Sequence, residues 1–256
     1  MKALILAAGF GTRMRPFTNT KPKALVPVND IPLILYNLAF LKSHGIKDVV
    51  INLHHQGSLI KKLLKNGKSI GLNITYSHEP TILGTGGGIN KALRFLHNDF
   101  LVLNSDIITD FDLKELISVH KKQHPLATLA LYKHTQAKKY GLLYAQENQL
   151  VSILNEPVPP KGSQAAMFSG IHILNKDKIK VALNKAQPLK NFFCIMRSIY
   201  MPELKSKTNL GAFPLQGFWT VCDSLNDVQK TTKALKNKKI SLRYTKSLHK
   251  MAQSIL

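Results

Sequence analysis

The chain has 256 residues, of which 44 % are hydrophobic and 20 % charged, proportions typical of a globular protein and not of a disordered chain. Its formal charge of +22 favours anionic ligands, but the lysines are scattered and never interleaved with aromatic residues, which argues against a nucleic-acid partner. Two cysteines without CxxC spacing, and no run near the ~20 apolar residues of a membrane helix, indicate a cytoplasmic protein without membrane insertion.

Strands and helices alternate through the first half of the sequence. The predicted strands are Lys2–Ala7, Asp48–Leu53, Leu72–Tyr76 and Phe100–Asn104, and the predicted helices are Pro32–His44, Ser58–Lys65 and Ile89–Leu96, the last after a glycine turn, Gly84–Gly88. This alternation predicts an α/β protein with a doubly wound, mostly parallel sheet. Ligands of such sheets bind beyond the carboxyl ends of the strands. Gly9, Gly84 and Asp106 all follow predicted strands, which is the first indication of function.

The second half of the sequence is less regular and richer in strands. The predicted elements are strands at Ala127–Tyr132, Gly141–Ala145, Leu150–Leu154, Met167–Leu174 and Gly217–Asp223, and a helix at Leu225–Lys236. We expect a single domain over residues 1–240 and a tail, 241–256, that no pattern places. His120 and His124 stand four residues apart on a probable helix, where we expect a solvent-exposed pair and not a metal site.

The most informative segment is Leu6–Pro16, followed by a lysine-proline-lysine sequence at 21–23. Gly9 and Gly11 allow backbone N–H groups to approach phosphate oxygens closely. The segment is neither a P-loop, because no Gly-Lys-Ser/Thr follows, nor a dinucleotide fingerprint, because Met14 stands where a third glycine belongs. Two cations follow the glycines instead: the guanidinium of Arg13 suits bidentate phosphate contact and Lys23 suits neutralisation of a point charge.

This segment resembles the signature of the sugar nucleotidylyltransferases, or NDP-sugar pyrophosphorylases, L-A-A-G-x-G-T-R-x-R-P-x-T…P-K. Further segments typical of that family recur in order over about residues 1–236: Leu83–Gly88, Leu103–Asp106, Tyr140-Gly141, Phe168–Ile171 and Gly217–Trp219. Within the family, Thr85–Gly88 and Phe168–Ile171 are most similar to N-acetylmuramate 1-phosphate uridylyltransferases. The Leu-Gly-Thr start resembles mannose- and heptose-1-phosphate guanylyltransferases, and the surroundings of Trp219 resemble glucose-1-phosphate cytidylyltransferases.

The resemblance implies a GT-A-like, Rossmann-like nucleotidyltransferase fold with a nucleotide-binding half, about 1–110, and a smaller β-rich sugar-phosphate half, 111–240. It also implies a Mg²⁺-dependent enzyme of the EC 2.7.7 type, active in nucleotide-sugar and surface polysaccharide biosynthesis. Its substrates would be a nucleoside triphosphate, with UTP or GTP favoured over CTP, and a sugar 1-phosphate. The products would be an NDP-sugar and pyrophosphate. The sugar and the oligomeric state stay open.

The resemblance also assigns expected roles to individual residues. Arg13 and Lys23 would be catalytic, near the β/γ-phosphates and the α-phosphate or sugar phosphate respectively. The expected nucleotide-binding residues are Leu6, Ala8, Gly9, Gly11, Thr12, Arg13, Glu79, Gly84 and Asn104. The expected sugar-binding residues are Gly141, Glu156, Ser169 and Gly170. The expected Mg²⁺ ligands are Asp106 and Asp223, since carboxylate oxygens are what Mg²⁺ prefers.

The sequence departs from the family pattern at two places. Many members carry a Glu-Lys-Pro segment whose lysine contacts the sugar phosphate, whereas this chain reads Asn155-Glu156-Pro157, so that Lys161 or Lys190 would have to substitute.

The second departure concerns the metal. Most members have an aspartate where this chain has Val221, and the cytidylyltransferase pattern points to Asp223 instead. A two-residue step along a strand is about 6.6 Å, so Asp223 needs a bent backbone to serve. The alternative is that Asp223 only caps the Leu225–Lys236 helix.

Three other functions stay open at this point. The chain could be a non-catalytic relative that binds nucleotide or sugar phosphate as a regulatory subunit, a reading that the missing lysine favours slightly and the intact loop, Lys23 and Asp106 disfavour. It could transfer a nucleotide to phosphocholine, although no aromatic cage for a quaternary ammonium is evident. A nucleic-acid binder would instead show strongly salt-dependent binding.

Overall fold

The computed structural model describes residues 1–135, 137–186 and 191–256, and the chain divides into two compact units. Unit 1 consists of Met1, Leu83–Val102 and Phe111–Gln216, and unit 2 of Lys2–Ile82, Leu103–Asp110 and Gly217–Leu256. Each unit therefore combines stretches that lie far apart in the sequence. None of the helices in the described ranges is long and apolar enough to cross a membrane.

The strands and helices follow one another along the whole chain. The strands are β1 Lys2–Leu6, β2 Pro27–Val28, β3 Ile31–Pro32, β4 Asp48–Leu53, β5 Asn73–His78, β6 Phe100–Asn104, β7 Ile107–Asp110, β8 Ala127–Tyr132, β9 Leu142–Gln146, β10 Gln149–Ile153, β11 Gln164–Leu174, β12 Leu210–Pro214 and β13 Phe218–Val221. The α-helices are α1 Leu33–Ser43, α2 Gly57–Leu64, α3 Gly84–Ala92, α4 Leu113–Gln123, α5 Ala137–Tyr140, α6 Lys176–Lys185, α7 Met201–Lys205, α8 Leu225–Lys236 and α9 Thr245–Ile255.

Unit 2 is built on parallel strands. β4 pairs in parallel with β1 on one side and with β5 on the other. The centres of β1 and β4 are almost wholly buried, as their continuous apolar runs predict for strands covered on both faces. A separate antiparallel pair, β7 with β13, belongs to the same unit.

Unit 1 contains a mixed group of strands. β8 pairs antiparallel with β11 and parallel with β12, while β9 and β10 form an antiparallel pair that continues onto β11 and β12. The register of β11 shifts between Phe168 and His172, where Gly170 has a φ of +83°. Together with the parallel strands of unit 2, this arrangement confirms the predicted α/β class with a mixed sheet.

The glycine segment Gly84–Gly88 is not a turn before a helix, as predicted, but the first part of α3 itself. The reason is tertiary packing within unit 1. A Cβ added at Gly86 would lie 2.2 Å from Cε2 of Phe193, and one at Gly87 would lie 2.6 Å from the carbonyl oxygen of Asn191. The backbone of α3 therefore lies directly against the segment around Phe193, and contact energy compensates the low helix propensity of glycine.

The expectation of an exposed His120 is wrong. Leu113, Leu116 and His120 form the buried stripe of α4, with His120 only 1 % exposed and its Nδ1 2.8 Å from Oγ1 of Thr128. His124 lies beyond the end of α4 in a left-handed conformation, so the two histidines do not share a helix face.

The tail that no sequence pattern placed is ordered and belongs to unit 2. Both carboxylate oxygens of Asp110, at the end of β7, accept hydrogen bonds from Arg243, one from its backbone N–H and one from its Nε, each 2.6 Å long. The hydroxyl of Tyr244 donates to the carbonyl oxygen of Thr109 at 2.9 Å, and α9 then packs against α1. The tail thus fixes the strand that follows Asp106.

Candidate functional site

The glycine loop follows β1 and closes on itself through Gly11. Gly11 has a φ of +62°, and its carbonyl oxygen accepts a hydrogen bond of 2.8 Å from Oγ1 of Thr18. A Cβ at this position would lie 2.9 Å from Cβ of Lys23 and 2.9 Å from Cγ2 of Thr18. Both the conformation and the space therefore require glycine there. At Gly9 an added Cβ would meet no atom within 4 Å, so the fold itself does not demand glycine at that position.

Lys23 begins a short 3₁₀ turn, Lys23–Leu25, directly after Pro22. Its Nζ donates to Oδ2 of Asp106 at 2.5 Å and to Oδ1 of Asp223 at 2.7 Å, and only 13 % of the side chain is exposed. Burial alone would lower the pKa of Lys23, but the charges and hydrogen bonds of the two aspartates outweigh it and raise the pKa above 10.5. The lysine is therefore a permanent cation between two carboxylates.

Asp106 lies in the turn between β6 and β7, and hydrogen bonds to α1 and to the end of β1 hold this turn in place. Nδ2 of the buried Asn37, on α1, donates to the carbonyl oxygens of Ser105 and Ile107 at 3.3 and 3.1 Å. The Ser105 N–H donates to the Leu6 carbonyl oxygen at 3.1 Å, which ties the turn to the end of β1. The backbone on both sides of Asp106 is thus fixed before any ligand binds.

The pairing of β13 with β7 explains how Asp223 reaches the same place. Val221 stands opposite Ile107, and the N–H of Cys222 donates to the carbonyl oxygen of Asp106 at 2.7 Å. The strand ends at Val221, shorter than the predicted Gly217–Asp223, so that Asp223 lies outside the strand, between β13 and the N-cap of α8 at Ser224. The step of about 6.6 Å that a strand would place between positions 221 and 223 therefore does not apply here.

The alternative role of Asp223 as a helix cap does not hold. Ser224 is the N-cap of α8: its Oγ accepts from the Asp227 N–H, and the Asp227 carboxylate accepts from the Ser224 N–H at 2.9 Å. Asp223 instead forms ion pairs with Lys23 and with NH1 of Arg13. The Arg13 side chain is 72 % exposed, so one face of this cation is accessible to an anion. We call Arg13, Lys23, Asp106 and Asp223 the charged cluster.

The charged cluster has the chemistry of a Mg²⁺ site. Oδ1 of Asp106 is buried and has no hydrogen-bond partner in the part of the chain that the structure describes. Two carboxylates suit an ion that usually binds one or two protein carboxylates and completes its octahedron with water and phosphate oxygens. No group of three or more histidine, cysteine or carboxylate side chains able to hold a metal occurs among the described residues. The residues present therefore fit a metal shared with a phosphorylated ligand and not a closed structural site.

Asn52 is a residue of this region that the sequence analysis did not single out. Asn52, in the last part of β4, is 3 % exposed; its Oδ1 accepts from the Ala7 N–H at 2.6 Å and its Nδ2 donates to Oε1 of Glu79 at 2.7 Å. It therefore joins the start of the glycine loop to Glu79. The signal was available, because Asn52 is the one amide in an otherwise apolar strand core.

Glu79 is fully buried and is therefore not a solvated loop residue. Its N–H donates to the Leu53 carbonyl oxygen at 2.8 Å, and its own carbonyl oxygen lies 2.8 Å from Nδ1 of His54. The rings of His54 and His55 contact Phe10 of the glycine loop, with centroids 5.4 and 5.6 Å away. Through His54 and Phe10, these contacts connect Glu79 to the glycine loop.

The other expected nucleotide-binding residues of unit 2 lie at the ends of β1 and β6 or in the glycine loop itself. Leu6 ends β1 and Ala8, 6 % exposed, follows it. Thr12 is exposed at the start of a 3₁₀ turn, and the half-buried Asn104 is the last residue of β6. The structure thus gathers the glycine loop, Lys23 and both aspartates within one unit.

The remaining expected site residues belong to unit 1. Gly84 begins α3, and Gly141, with a φ of +93°, leaves only 2.9 Å between an added Cβ and Cδ2 of Leu154. Ser169 is 1 % exposed and donates its hydroxyl to the Ala130 carbonyl oxygen at 2.8 Å, next to Gly170 in the irregular part of β11.

The mid-chain segment that lacks the family lysine lies in unit 1 as well. Glu156 is exposed and pairs with Nζ of Lys205 at 2.7 Å, which lowers the pKa of Glu156 through the hydrogen bond and the charge. Lys161 is exposed, and its carbonyl oxygen accepts from Nε2 of Gln146 at 3.1 Å. Lys190 lies outside the described residues.

The family model described as "Nucleotidyl transferase" matches residues 2–236. A mannose-1-phosphate guanyltransferase of Yarrowia lipolytica is 34 % identical over 226 residues, covering 86 % of this chain and 60 % of that protein. A mannose-1-phosphate guanylyltransferase catalytic subunit beta of Dictyostelium discoideum is 36 % identical over 225 residues, with the same shares. The chain thus spans about 60 % of the length of these curated relatives.

Solved structures resemble this one over nearly its whole length. The UDP-glucose pyrophosphorylase from Acinetobacter baumanii has a TM-score of 0.75 at 20 % identity, covering 94 % of this chain and 95 % of its own. HddC from Yersinia pseudotuberculosis complexed with GMP-PN has a TM-score of 0.72 at 20 % identity, covering 91 % and 99 %. At this level of identity the likeness establishes a shared fold.

Proposed function

The chain belongs to the nucleotidyl transferase family, and from that premise we propose that it condenses a nucleoside triphosphate with a sugar 1-phosphate. An oxygen of the sugar phosphate forms a bond to the α-phosphorus, the bond between that phosphorus and the bridging oxygen of the β-phosphate breaks, and pyrophosphate leaves. The product is an NDP-sugar. The attacking phosphate is already ionised at neutral pH, so the protein needs to bind, align and neutralise, with little acid–base chemistry.

The observation that carries this proposal is the charged cluster beside the glycine loop. Nζ of Lys23 lies 2.5 Å from Asp106 and 2.7 Å from Asp223, and Arg13 pairs with Asp223 from an exposed position. Cations held in advance of the reaction stabilise negative charge at a phosphate without having to reorganise. Asp223, which only the cytidylyltransferase pattern indicated in the sequence, lies in this cluster and supports the same function.

Each residue of the cluster takes one role in this proposal. The backbone N–H groups of the loop at Gly9 and Gly11, with the Arg13 guanidinium, would bind the β- and γ-phosphates that become pyrophosphate. Lys23 would neutralise the α-phosphate or the incoming sugar phosphate. Asp106 and Asp223 would hold Mg²⁺, which supplies positive charge at phosphate oxygens when bound.

For the substrates, we propose GTP and mannose 1-phosphate as the first pair to test. The support is the agreement of the two relatives described above, which are named for guanylyl transfer to mannose 1-phosphate. The preference for UTP or GTP over CTP, drawn from the resemblance of the segments Leu83–Gly88 and Phe168–Ile171, is compatible with this choice. Lys161 is the proposed substitute for the missing lysine among the described residues, because it is exposed and follows the Asn155–Pro157 segment.

A matrix of five nucleoside triphosphates against a panel of sugar 1-phosphates tests the proposal, with pyrophosphate release as the readout. We expect Mg²⁺-dependent release, highest with GTP and mannose 1-phosphate, and the reverse reaction with added pyrophosphate. No release in any combination, from protein that circular dichroism shows to be folded, would favour a non-catalytic binding protein instead.

Variants then connect the activity to the cluster. Arg13→Ala and Lys23→Ala should each lower kcat/KM at least about tenfold, equivalent to about 1.4 kcal/mol, because each removes a cation from developing charge. Lys121→Ala is the matched control, since Lys121 is an exposed lysine of α4. Equal losses in all three variants would mean that the overall charge of +22, and not the cluster, governs activity.

A further inference from the structure

The Lys23 ammonium lies where the two metal-binding carboxylates converge. It is within 2.7 Å of one oxygen of each aspartate. The three side chains are largely withdrawn from solvent, with exposed fractions of 13 % for Lys23, 22 % for Asp106 and 12 % for Asp223. A divalent cation bound by both aspartates would have Oδ1 of Asp106, which has no hydrogen-bond partner among the described residues, and would compete with the Lys23 ammonium for Oδ2 of Asp106 and Oδ1 of Asp223.

The electrostatics of the cluster explain why the lysine stays there. Two carboxylates close together and shielded from water repel each other and require a counter-charge. Lys23 supplies one positive charge to both, and Arg13 supplies a second to Asp223 alone. The two acidic and two basic side chains together are neutral, so the formal charges of the cluster balance without a metal ion.

We propose that the Lys23 ammonium is a built-in substitute for the divalent cation, and that lysine and metal compete for Asp106 and Asp223. The proposal deepens the proposed function, on which it rests for the identity of the two aspartates as metal ligands. A free divalent cation has to displace Lys23 and therefore binds weakly to the protein alone. Nucleotide removes this competition, because its phosphates offer Lys23 and Arg13 other partners. Metal and nucleotide accordingly bind in a coupled manner, with little metal bound before the nucleotide.

The geometry around the lysine limits how far it moves in this exchange. The Cβ of Lys23 lies against Gly11, where an added Cβ would be only 2.9 Å away, and Pro22 precedes it. The stem is thus held beside the glycine loop while the flexible end of the side chain carries the charge. An ammonium that leaves the carboxylates stays next to the loop that is expected to hold the phosphates.

The test is direct binding of Mn²⁺ to the nucleotide-free protein, followed by the paramagnetic resonance signal of the free ion. Lys23→Met removes the charge and keeps an unbranched side chain, so we expect it to bind Mn²⁺ at least tenfold more tightly than the unaltered protein. Lys121→Met, on the exposed face of α4, should bind as the unaltered protein does. The double variant Lys23→Met/Asp223→Asn should lose the gain.

Three results would overturn the proposal: equal affinity of Lys23→Met and the unaltered protein, retention of the gain in the double variant, or absence of Mn²⁺ binding by folded Lys23→Met. The last result would mean that Lys23 assembles the carboxylates and does not compete for them. Circular dichroism of each variant establishes folding. Because no nucleotide or turnover enters the measurement, a protein without transferase activity would still show or lack the tenfold difference, so the two failures are distinguishable.

Discussion

The glycine loop of unit 2 and the glycine-rich start of α3 in unit 1 look alike in sequence and are built for different purposes. Gly9 has open space on its side-chain face, and the loop leads to the side chains of the charged cluster. Gly84, Gly86 and Gly87 have no such space, because the segment around Phe193 lies 2.2 to 2.6 Å from where their side chains would begin. Glycine signals that something approaches the backbone closely, and only the fold tells whether it is a ligand or the chain itself.

The comparison predicts that side-chain charge determines activity at the charged cluster, whereas side-chain volume determines stability at the start of α3. The largest effect should come from Asp223→Asn, which keeps the shape of the side chain and removes its charge. We expect kcat to fall at least about 100-fold, in the range seen when a preorganised charged group is removed from an active site, and to recover partly with Mn²⁺ or high Mg²⁺. Stability should change little, because Ser224 caps α8.

The measurement is pyrophosphate release as a function of metal concentration, with denaturant unfolding in parallel. Asp227→Asn is the matched control, since Asp227 is the neighbouring aspartate whose bonds all serve the helix cap. It should retain turnover and lose some stability. Full activity of Asp223→Asn would leave Asp106 holding the metal alone.

For the second region, Gly86→Ala should destabilise the protein by about 1–3 kcal/mol, because the new methyl group would overlap the Phe193 ring. In an open helix the same change would stabilise by up to about 1 kcal/mol. Urea unfolding of Gly86→Ala and of Gly86→Ala/Phe193→Leu measures the difference. The smaller leucine should restore part of the stability; a stable single variant would show that the ring gives way freely.

How much of this was visible in the sequence depends on which interaction decides each element. The bounds of β4, β6, β8 and α8 follow from local hydrophobic patterns and agree with the prediction. The start of α3 does not, because its partner, Phe193, is over a hundred residues away in sequence and no local pattern encodes that contact.

The features of the site likewise divide into those that the sequence indicates and those that arise only from tertiary packing. The loop and its cations were predictable as residue types, and family spacing pointed to Asp223. The ion pairs of Lys23, the amide bridge of Asn52 and the burial of Glu79 arise from side chains brought together by tertiary packing. A sequence pattern indicates such residues only as polar interruptions of apolar strands.

Unit 1 also contains a buried histidine, His172, whose protonation makes the stability of the protein depend on pH. His172 is wholly buried, which lowers its pKa to about 3, whereas the unfolded chain has a histidine pKa of about 6.5. Between these values only the unfolded state binds the proton, so the contribution of His172 to stability should be constant well above pH 6.5 and fall as the pH decreases, by about 1.4 kcal/mol per unit once well below 6.5.

Urea unfolding from pH 7.5 to pH 4.5 measures this slope. His172→Gln removes the titrating group and keeps a polar partner for the Tyr200 hydroxyl, which lies 2.8 Å from Nδ1 of His172. The variant should show a shallower decline with falling pH than the unaltered protein. Parallel curves would mean that His172 does not determine the acid limb.

The smallest effect on stability should come from the exposed pair of Glu156 and Lys205. Both side chains are more than half exposed, and such pairs contribute little because water and salt screen them. Glu156→Gln should leave the denaturant midpoint unchanged, and Lys205→Gln serves as the matched control. If Glu156 contacts the sugar, as the resemblance implies, the KM for the sugar 1-phosphate should rise in Glu156→Gln and not in Lys205→Gln. A clear loss of stability would contradict the screened pair.

The pairing of β7 with β13 has a consequence for how the molecule matures during synthesis. Lys23 and Asp106 are synthesised over a hundred residues before Phe218, and Asp223 is positioned only when Phe218–Val221 adds to Ile107–Asp110. A growing polypeptide therefore carries only one of the two carboxylates of the charged cluster until β13 has been synthesised and has paired with β7. Until that strand pairs, Lys23 has only Asp106, of these two carboxylates, as a partner.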